Sequence, residues 1–272
     1  MSLTEMEKKV MEFNRITSRD NAQIKAVIAL RDSAKTRKEK QMGVVEGLRI
    51  CCDALENSVQ FAALFVSDSA LLKLKTQVEE FARQSEVCYQ IPDSLFAKIS
   101  DTNSPQGVLA TFHFPKNKPF SGEGGRYIGL ENLADPSNLG AIARTAEAIG
   151  VDGIILTSNS VDPYAPKVLR ASMGTLLRLP LYVSDDLIAT AHDLGLTTYA
   201  CVVDRDATPI TEVSFPEGSL LMIGNEANGL TEETKQQADY RITIPMRGKA
   251  ESLNAAAAGA IAMWEMLRGN TK

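Results

Sequence analysis

Histidine is nearly missing from this chain: His113 and His192 are the only two in 272 residues. They stand far apart with no further ligand at metal spacing, which leaves a zinc centre or a histidine-based triad without support. The four cysteines, Cys51, Cys52, Cys88 and Cys201, form no CxxC pair. They read as buried thiols of a reducing compartment, not as a disulfide framework. No apolar run approaches the ~20 residues needed to span a bilayer. The opening MSLTEMEKKV lacks the apolar centre of an export signal, so no membrane association and a cytoplasmic location are expected. Neither a GxGxxG fingerprint nor a glycine-lysine-serine/threonine phosphate loop occurs.

What is present is ordinary in bulk and uneven in detail. Hydrophobic residues make up 44% and charged residues 23%, the balance of a globular protein of one or two domains. The net charge of −5 argues against a nucleic-acid binder that uses its whole surface. Residues 15 to 49, however, hold nine basic side chains (Arg15, Arg19, Lys25, Arg31, Lys35, Arg37, Lys38, Lys40 and Arg49) against four acidic ones. A local basic patch is compatible with RNA; a solvated helix face explains the same charges.

The proline- and glycine-rich stretch PKNKPFSGEGGR is the sharpest break in composition, and it predicts a linker over 115–125 between a domain at 1–114 and another at 126–272. The first domain reads as a small α/β module: helices over 20–40 and 69–84, a strand near 43–47 running into a helix through Ala54, and strands near 61–66, 87–91 and 108–114. The second alternates more regularly. Its expected strands are 126–130, 153–157, 179–183, 197–203, 219–223 and 240–244, and its expected helices 138–149, 163–172, 186–194, 231–237 and 252–268. This pattern implies a mainly parallel sheet covered on both faces, with ligands at the carboxyl ends of the strands.

Three segments fall at such strand ends. In the first, Glu131 to Ala146, a strand leads into a helix; Gly140 keeps the turn open, and Asn138 and Arg144, nearly two helical turns apart, can both point to the strand end. Arg144 there can clamp a phosphate, or it can be a solvent-facing helix residue with Asn138 a simple cap. In the second, Leu220 to Leu230, a buried strand ends in a glycine-flanked loop carrying Glu226; Gly224 removes a side chain where a ligand can lie against backbone. The third, Ile244 to Trp264, stops a strand at Pro245, loops through Gly248 and opens an alanine-rich helix that Ser252 or Asn254 can cap. Backbone groups at that helix start can hold a small polar ligand.

In combination, DPSNLGAIARTAEAIG, LMIGNEANGL and IPMRGKAESLNAAAAGAIAMWE resemble motifs 1, 2 and 3 of the SpoU (TrmH-like) RNA ribose 2′-O-methyltransferases of the SPOUT superfamily. PYAPKVLRASMGTLLRLPL resembles the stretch between motifs 1 and 2. The resemblance covers roughly residues 126 to 268, while residues 15 to 114 resemble the family's N-terminal substrate-binding domain, itself related to ribosomal proteins. It implies an α/β protein with a C-terminal trefoil-knotted methyltransferase domain and a smaller N-terminal α/β domain that binds substrate RNA.

The implied catalytic set is Arg144, Asn138, Glu226, Ser252 and Asn254. Arg144 acts on the ribose 2′-hydroxyl, either as a base or as a phosphate clamp that stabilises developing negative charge. Asn138 positions the arginine and ribose, Glu226 holds the polar network, and Ser252 and Asn254 support the cofactor loop. S-adenosylmethionine is the implied cofactor, bound mostly by backbone at Gly224, Ile244, Met246 and Leu253, with no metal. The implied partners are RNA, ribosomal more than transfer RNA, and a second copy of the chain. The run Asn254 to Gly259 departs from the family, which often has Val-Ser after the asparagine; small residues there favour close packing against another subunit. A resistance-conferring ribosomal RNA methyltransferase, a transfer RNA methyltransferase, a non-catalytic RNA-binding protein and an unrelated nucleotide-binding α/β enzyme are the alternatives. Intact Arg144, Glu226 and Asn254 weigh against the non-catalytic reading, and the missing phosphate loop against the nucleotide-binding enzyme.

Overall fold

A computed structural model of the chain describes residues 12–116 and 124–268. Most of the expected linker, residues 117–123, lies outside the described residues. By its internal contacts the chain divides into two compact units; the first runs to Pro115 and includes Tyr164–Arg170, and the second holds the remainder.

The first unit follows the order β1 (Phe13–Arg15), α1 (Ala22–Asp32), α2 (Ala34–Lys40), β2 (Met42–Glu46), α3 (Leu48–Glu56), β3 (Phe61–Ser67), α4 (Asp68–Lys73), α5 (Lys75–Arg83), β4 (Cys88–Ile91), α6 (Asp93–Ile99) and β5 (Val108–His113). Its sheet runs β1-β4-β3-β5-β2, parallel across β1, β4 and β3 and antiparallel at β5 and β2. One face packs Ile24, Val27 and Leu30 of α1 and Phe96 and Ile99 of α6 against Phe65 and Leu109.

Two helices expected as single elements are broken. Ser33 ends α1 in extended conformation and caps α2, its hydroxyl accepting from the Thr36 N–H at 3.1 Å. Leu74 separates α4 from α5. Arg37 belongs to the basic run, yet it is only 4% exposed and donates to the Leu30 and Arg31 carbonyls at 2.6 and 2.9 Å. It satisfies the orphan carbonyls at the end of α1. The segment Tyr164–Arg170, which the sequence boundaries gave to the second domain, groups with the first unit. There Tyr164 stacks on Phe114 at a 4.0 Å centroid separation, and Arg170 pairs with Asp101 at 2.6 Å.

The second unit contains β6 (Arg126–Leu130), α7 (Pro136–Ile149), β7 (Gly153–Thr157), β8 (Leu181–Ser184), α9 (Leu187–Asp193), β9 (Thr197–Cys201), β10 (Thr208–Pro209), β11 (Ser219–Ile223), α10 (Glu232–Gln237), β12 (Tyr240–Thr243) and α11 (Ala255–Leu267); the short helix α8 (Pro166–Ala171) precedes β8 in sequence. All pairings in its sheet are parallel, in the order β10-β12-β9-β11-β6-β7-β8. β6, β7 and β11 are buried along nearly their whole length, which is why they read as continuous apolar runs. Their order sets the carboxyl end of β6 beside that of β11, with Leu130 opposite Ile223.

α7 begins where Asp135 accepts from the Ser137 N–H at 2.7 Å, with Pro136 in the first turn, and ends at Gly150 in the left-handed region. Gly140 does not open a turn, contrary to expectation. It lies inside α7, where an added Cβ would stand 2.3 Å from the Ala171 Cβ; its role is close packing. α11 lies along α7, with Gly259 facing Ile142. Among the described residues no helix is long and apolar enough to cross a membrane.

Candidate cofactor and catalytic site

The three motif segments of the second unit meet at one end of its sheet. After β11 the backbone narrows: an alanine Cβ at Gly224 would stand 2.0 Å from the Gly229 carbonyl carbon, so only glycine fits. Asn225 and Gly229 then exchange backbone hydrogen bonds at 3.0 and 2.8 Å, closing the loop on itself. The Asn225 side chain donates to the Asn132 carbonyl at 2.8 Å and accepts from the Ala227 and Asn228 N–H groups. Asn132 holds a left-handed conformation at φ 53°, one that asparagine tolerates, and its N–H donates to the Thr157 hydroxyl.

Glu226 projects from this loop to the β6–α7 segment. Its carboxylate accepts from the Ala134 N–H at 3.0 Å, from the Asp135 N–H at 2.9 Å and from Asn138 Nδ2 at 2.9 Å. Asn138, 6% exposed, uses its Oδ1 to accept from Asn254 Nδ2 at 2.9 Å. Asn254 in turn caps α11, its Oδ1 accepting from the Ala256 and Ala257 N–H groups at 2.9 and 3.2 Å. One chain of hydrogen bonds therefore joins motif 2 to motif 1 and motif 1 to motif 3. The cap of α11 is Asn254; Ser252 is exposed in the preceding loop.

Burial pushes the Glu226 carboxyl up, and the bonds from Asn138, Ala134 and Asp135 outweigh it, leaving the group below the usual carboxylate range. At neutral pH it is ionised and can only accept. This fixes the amide of Asn138 with its NH2 toward Glu226 and its oxygen toward Asn254.

Beside the network lies a cavity of about 560 Å³. Gly224, Ile244, Met246 and Leu253 all line it, as do Glu226 and Ser252. The lining also includes Val203, 66% exposed, and an ion pair between Arg241 and Asp204. Cys201 also lines it; burial pushes that thiol up to about 11, so it stays protonated and unreactive. Among the described residues no cluster of His, Cys, Asp or Glu is arranged to hold a metal ion.

Arg144 stands apart from Asn138, against the expectation that both point to one strand end. Six residues at 100° each leave the two side chains about 120° apart around the helix. Asn138 is buried toward Glu226, whereas Arg144 is exposed and makes no hydrogen bond or ion pair among the described residues. Sequence reasoning missed Asn132 and Asn225, which shape the loop, and Glu131, whose partners lie about a hundred positions away. Asn225 sits in the motif beside Glu226, and an asparagine flanked by two glycines within five residues is a turn signal that could have marked it.

A model of the SpoU rRNA Methylase family matches residues 125–264, and a model of the MRM3-like substrate binding domain matches residues 21–110. The chain is 34% identical over 266 residues to an uncharacterized tRNA/rRNA methyltransferase of Synechocystis, covering 93% of each chain. It is 28% identical over 238 residues to the 23S rRNA (guanosine(2553)-2'-O)-methyltransferase of Bacillus subtilis, covering 86% of this chain and 92% of that one. Its structure resembles that of the AdoMet-bound rRNA methyltransferase from Sinorhizobium meliloti with a TM-score of 0.82, at 28% identity, covering 96% of this chain and 99% of that one.

Proposed function

Because the chain belongs to the SpoU rRNA methylase family, we propose that it methylates a ribose 2′-hydroxyl in structured ribosomal RNA with S-adenosylmethionine as donor. The observation that carries this reading is the 560 Å³ cavity lined by Gly224, Ile244, Met246 and Leu253 and bordered by the Glu226–Asn138–Asn254 chain. Its size suits a single nucleoside-like ligand. Its lining carries four acidic side chains, Asp204, Glu226, Glu232 and Glu251, against two basic ones, Lys235 and Arg241, which favours a sulfonium cation.

When bound, the donor supplies a methyl carbon open to in-line displacement, so the protein's own share is proximity, orientation and activation of the hydroxyl. Gly224 brings the loop backbone against the ligand, and Ile244, Met246 and Leu253 give apolar surface and backbone partners. Ser252 supports the loop that carries them. Glu226 sets the orientation of Asn138, and Asn138 with Asn254 holds the ribose end of the site. Arg144, with all its guanidinium donors free of partners among the described residues, clamps an RNA phosphate and stabilises the charge that grows on the 2′-oxygen. A guanidinium offers only donors and has no lone pair free to take the hydroxyl proton, so the proton passes to solvent.

In this reading residues 1–114 recognise RNA and residues 126–272 transfer the methyl group. Arg37 is structural, Arg15 pairs with Asp68 and Arg31 with Asp32, while Lys25 and Lys35 make only long, exposed pairs with Asp20 at 3.4 Å and Glu39 at 3.8 Å. RNA capture therefore falls to the exposed cations Arg19, Lys25, Lys35, Lys38, Lys40 and Arg49. The chain works in the cytoplasm as a homodimer, and the bend at Pro245 and Gly248 lets its C-terminal segment thread a trefoil knot. Calorimetric titration with S-adenosylmethionine, followed by mass mapping of 2′-O-methyl sites in RNA from cells with and without the gene, tests it. Saturable binding and loss of a ribosomal methyl mark are expected. Absence of binding overturns the enzyme, and loss of a mark on transfer RNA alone overturns the substrate.

A further inference from the structure

Glu131, the residue that follows β6, is 7% exposed and does not line the cavity. Its backbone N–H donates to the Ile223 carbonyl at 2.9 Å, extending the β6–β11 ladder by one bond. Its carboxylate turns to the start of α10, accepting from the Thr231 N–H at 2.6 Å, from the Thr231 hydroxyl at 3.1 Å and from the Thr234 hydroxyl. Ile223 and Thr231 are the two residues flanking Gly224–Leu230, every residue of which lines the cavity. A single residue thus ties both ends of the cofactor loop. No ion pair reaches this carboxylate among the described residues. A buried carboxylate without a cationic partner is costly to maintain and stays only where donors converge on it.

We propose that Glu131 is a positioning residue for the methyl-transfer site, holding the Gly224–Leu230 loop open at the width the donor needs. The proposal rests on the S-adenosylmethionine reading given above. Glutamine at this position keeps the size and an oxygen for the Thr231 N–H, but replaces the oxygen that accepts both threonine hydroxyls by an NH2. Those hydroxyls must turn round, and the charge that strengthens the bonds is gone. The loop's second anchor is then weakened while Glu226 and the cavity wall keep their chemistry. Thr234 contributes through its hydroxyl alone, so valine there removes one anchor bond and serine retains it.

The test is calorimetric titration of the full chain with S-adenosylmethionine, with steady-state methyl transfer to ribosomal RNA alongside. Glu131→Gln and Thr234→Val should each weaken donor binding, by roughly 10-fold for the first. The double variant should be no weaker than Glu131→Gln alone, and Thr234→Ser should bind like the parent protein. In turnover, KM for the donor should rise while kcat at saturating donor and KM for RNA hold, a split that general loss of stability would not produce. Unchanged donor affinity in Glu131→Gln overturns the proposal. If Glu131→Gln does not fold, parent-like affinity in Thr234→Val overturns it. Failure of the parent protein to bind the donor at all refutes instead the reading on which the proposal stands.

Discussion

Asn138 Nδ2 lies 2.9 Å from Glu226 Oε1, although the two residues are 88 positions apart in the chain. The contact fixes more than a distance. Because Glu226 is ionised it can only accept, so Asn138 must present its NH2 to it and its oxygen to Asn254. Asn254 must then donate through Nδ2 and keep Oδ1 for the cap of α11. The polarity of three side chains, one from each motif, therefore descends from the charge of one carboxylate.

Replacing that carboxylate should disturb the whole chain. Glu226→Gln keeps the volume but supplies one acceptor where three donors converge. Methyl transfer should fall roughly 10- to 100-fold, the range seen when a group that only orients other site residues is lost. Glu226 is exposed at the rim, so water screens its bonds and the cost in stability should be only about 1 kcal/mol. Transfer of labelled methyl to RNA and urea unfolding measure the two effects; parent-like transfer in Glu226→Gln would remove the residue from the site.

The same carboxyl carries a pH signature. Its folded pKa lies below the unfolded value, so its contribution is fully present above the unfolded pKa and is lost as pH falls through the folded one. With an unfolded glutamate near pH 4.3, the stability difference between the parent protein and Glu226→Gln should be flat at neutral pH and should shrink below about pH 4.5. Urea midpoints of both proteins between neutral and acid pH check this; a difference that grows on acidification would reverse the sign.

Arg144 gives a cleaner separation of binding from chemistry. It touches neither the cavity nor the polar chain, so Arg144→Ala should leave affinity for S-adenosylmethionine near that of the parent. Transfer should fall about 100-fold or more, as for loss of a group that stabilises charge in the transition state. Arg144→Lys should rescue little, because an ammonium lacks the planar fork for a phosphate. Retained transfer in the alanine variant would refute the assigned role.

Much of this is legible in the sequence. β6, β7 and β11 have the bounds expected from sequence, because parallel strands buried on both faces leave unbroken apolar runs between glycines and polar turns. The break at Ser33 is a local cap hydrogen bond within a run of good helix formers, and at Leu74 the apolar spacing of Leu71, Leu74, Val78 and Phe81 runs on across the break, so neither shows in the sequence. β10 spans two residues and carries no period at all. At the site, Gly224, Ile244, Met246 and Leu253 came from motif resemblance and line one cavity. Spacing counted in turns makes neighbours of Asn138 and Arg144, whereas counted in angle it sets them about 120° apart. Glu131 could not be found, for its meaning lies in partners 100 and 103 positions away.

Gly224 offers a steric test of the loop. Alanine would place its Cβ within 2.0 Å of the Gly229 carbonyl carbon and 2.1 Å of the Leu230 nitrogen, both backbone atoms that cannot swing aside. The loop must shift, at about 1–3 kcal/mol for an overpacked site. Donor binding should be lost well before the fold is. Titration with S-adenosylmethionine beside thermal melting distinguishes the two; Gly224→Ala with parent affinity would mean the loop closes in another way.

The proposed homodimer has its own face to test. On α11, Gly259, Ala262, Met263 and Met266 turn inward, while Ala257, Ile261 and Trp264 face out; Ile261 is 43% and Trp264 54% exposed. Ala257, Ile261 and Trp264 recur at i, i+4 and i+7 and form one stripe. A tryptophan and an isoleucine set in a row on a helix face are what a self-complementary contact buries, and small Ala257 lets two backbones approach. Charge placed there is desolvated only if a second copy arrives. Trp264→Glu should therefore convert a species of twice the chain mass into one of single mass in light scattering, with the melting transition of each chain little moved. A dimer that persists in this variant would put the subunit contact on another face.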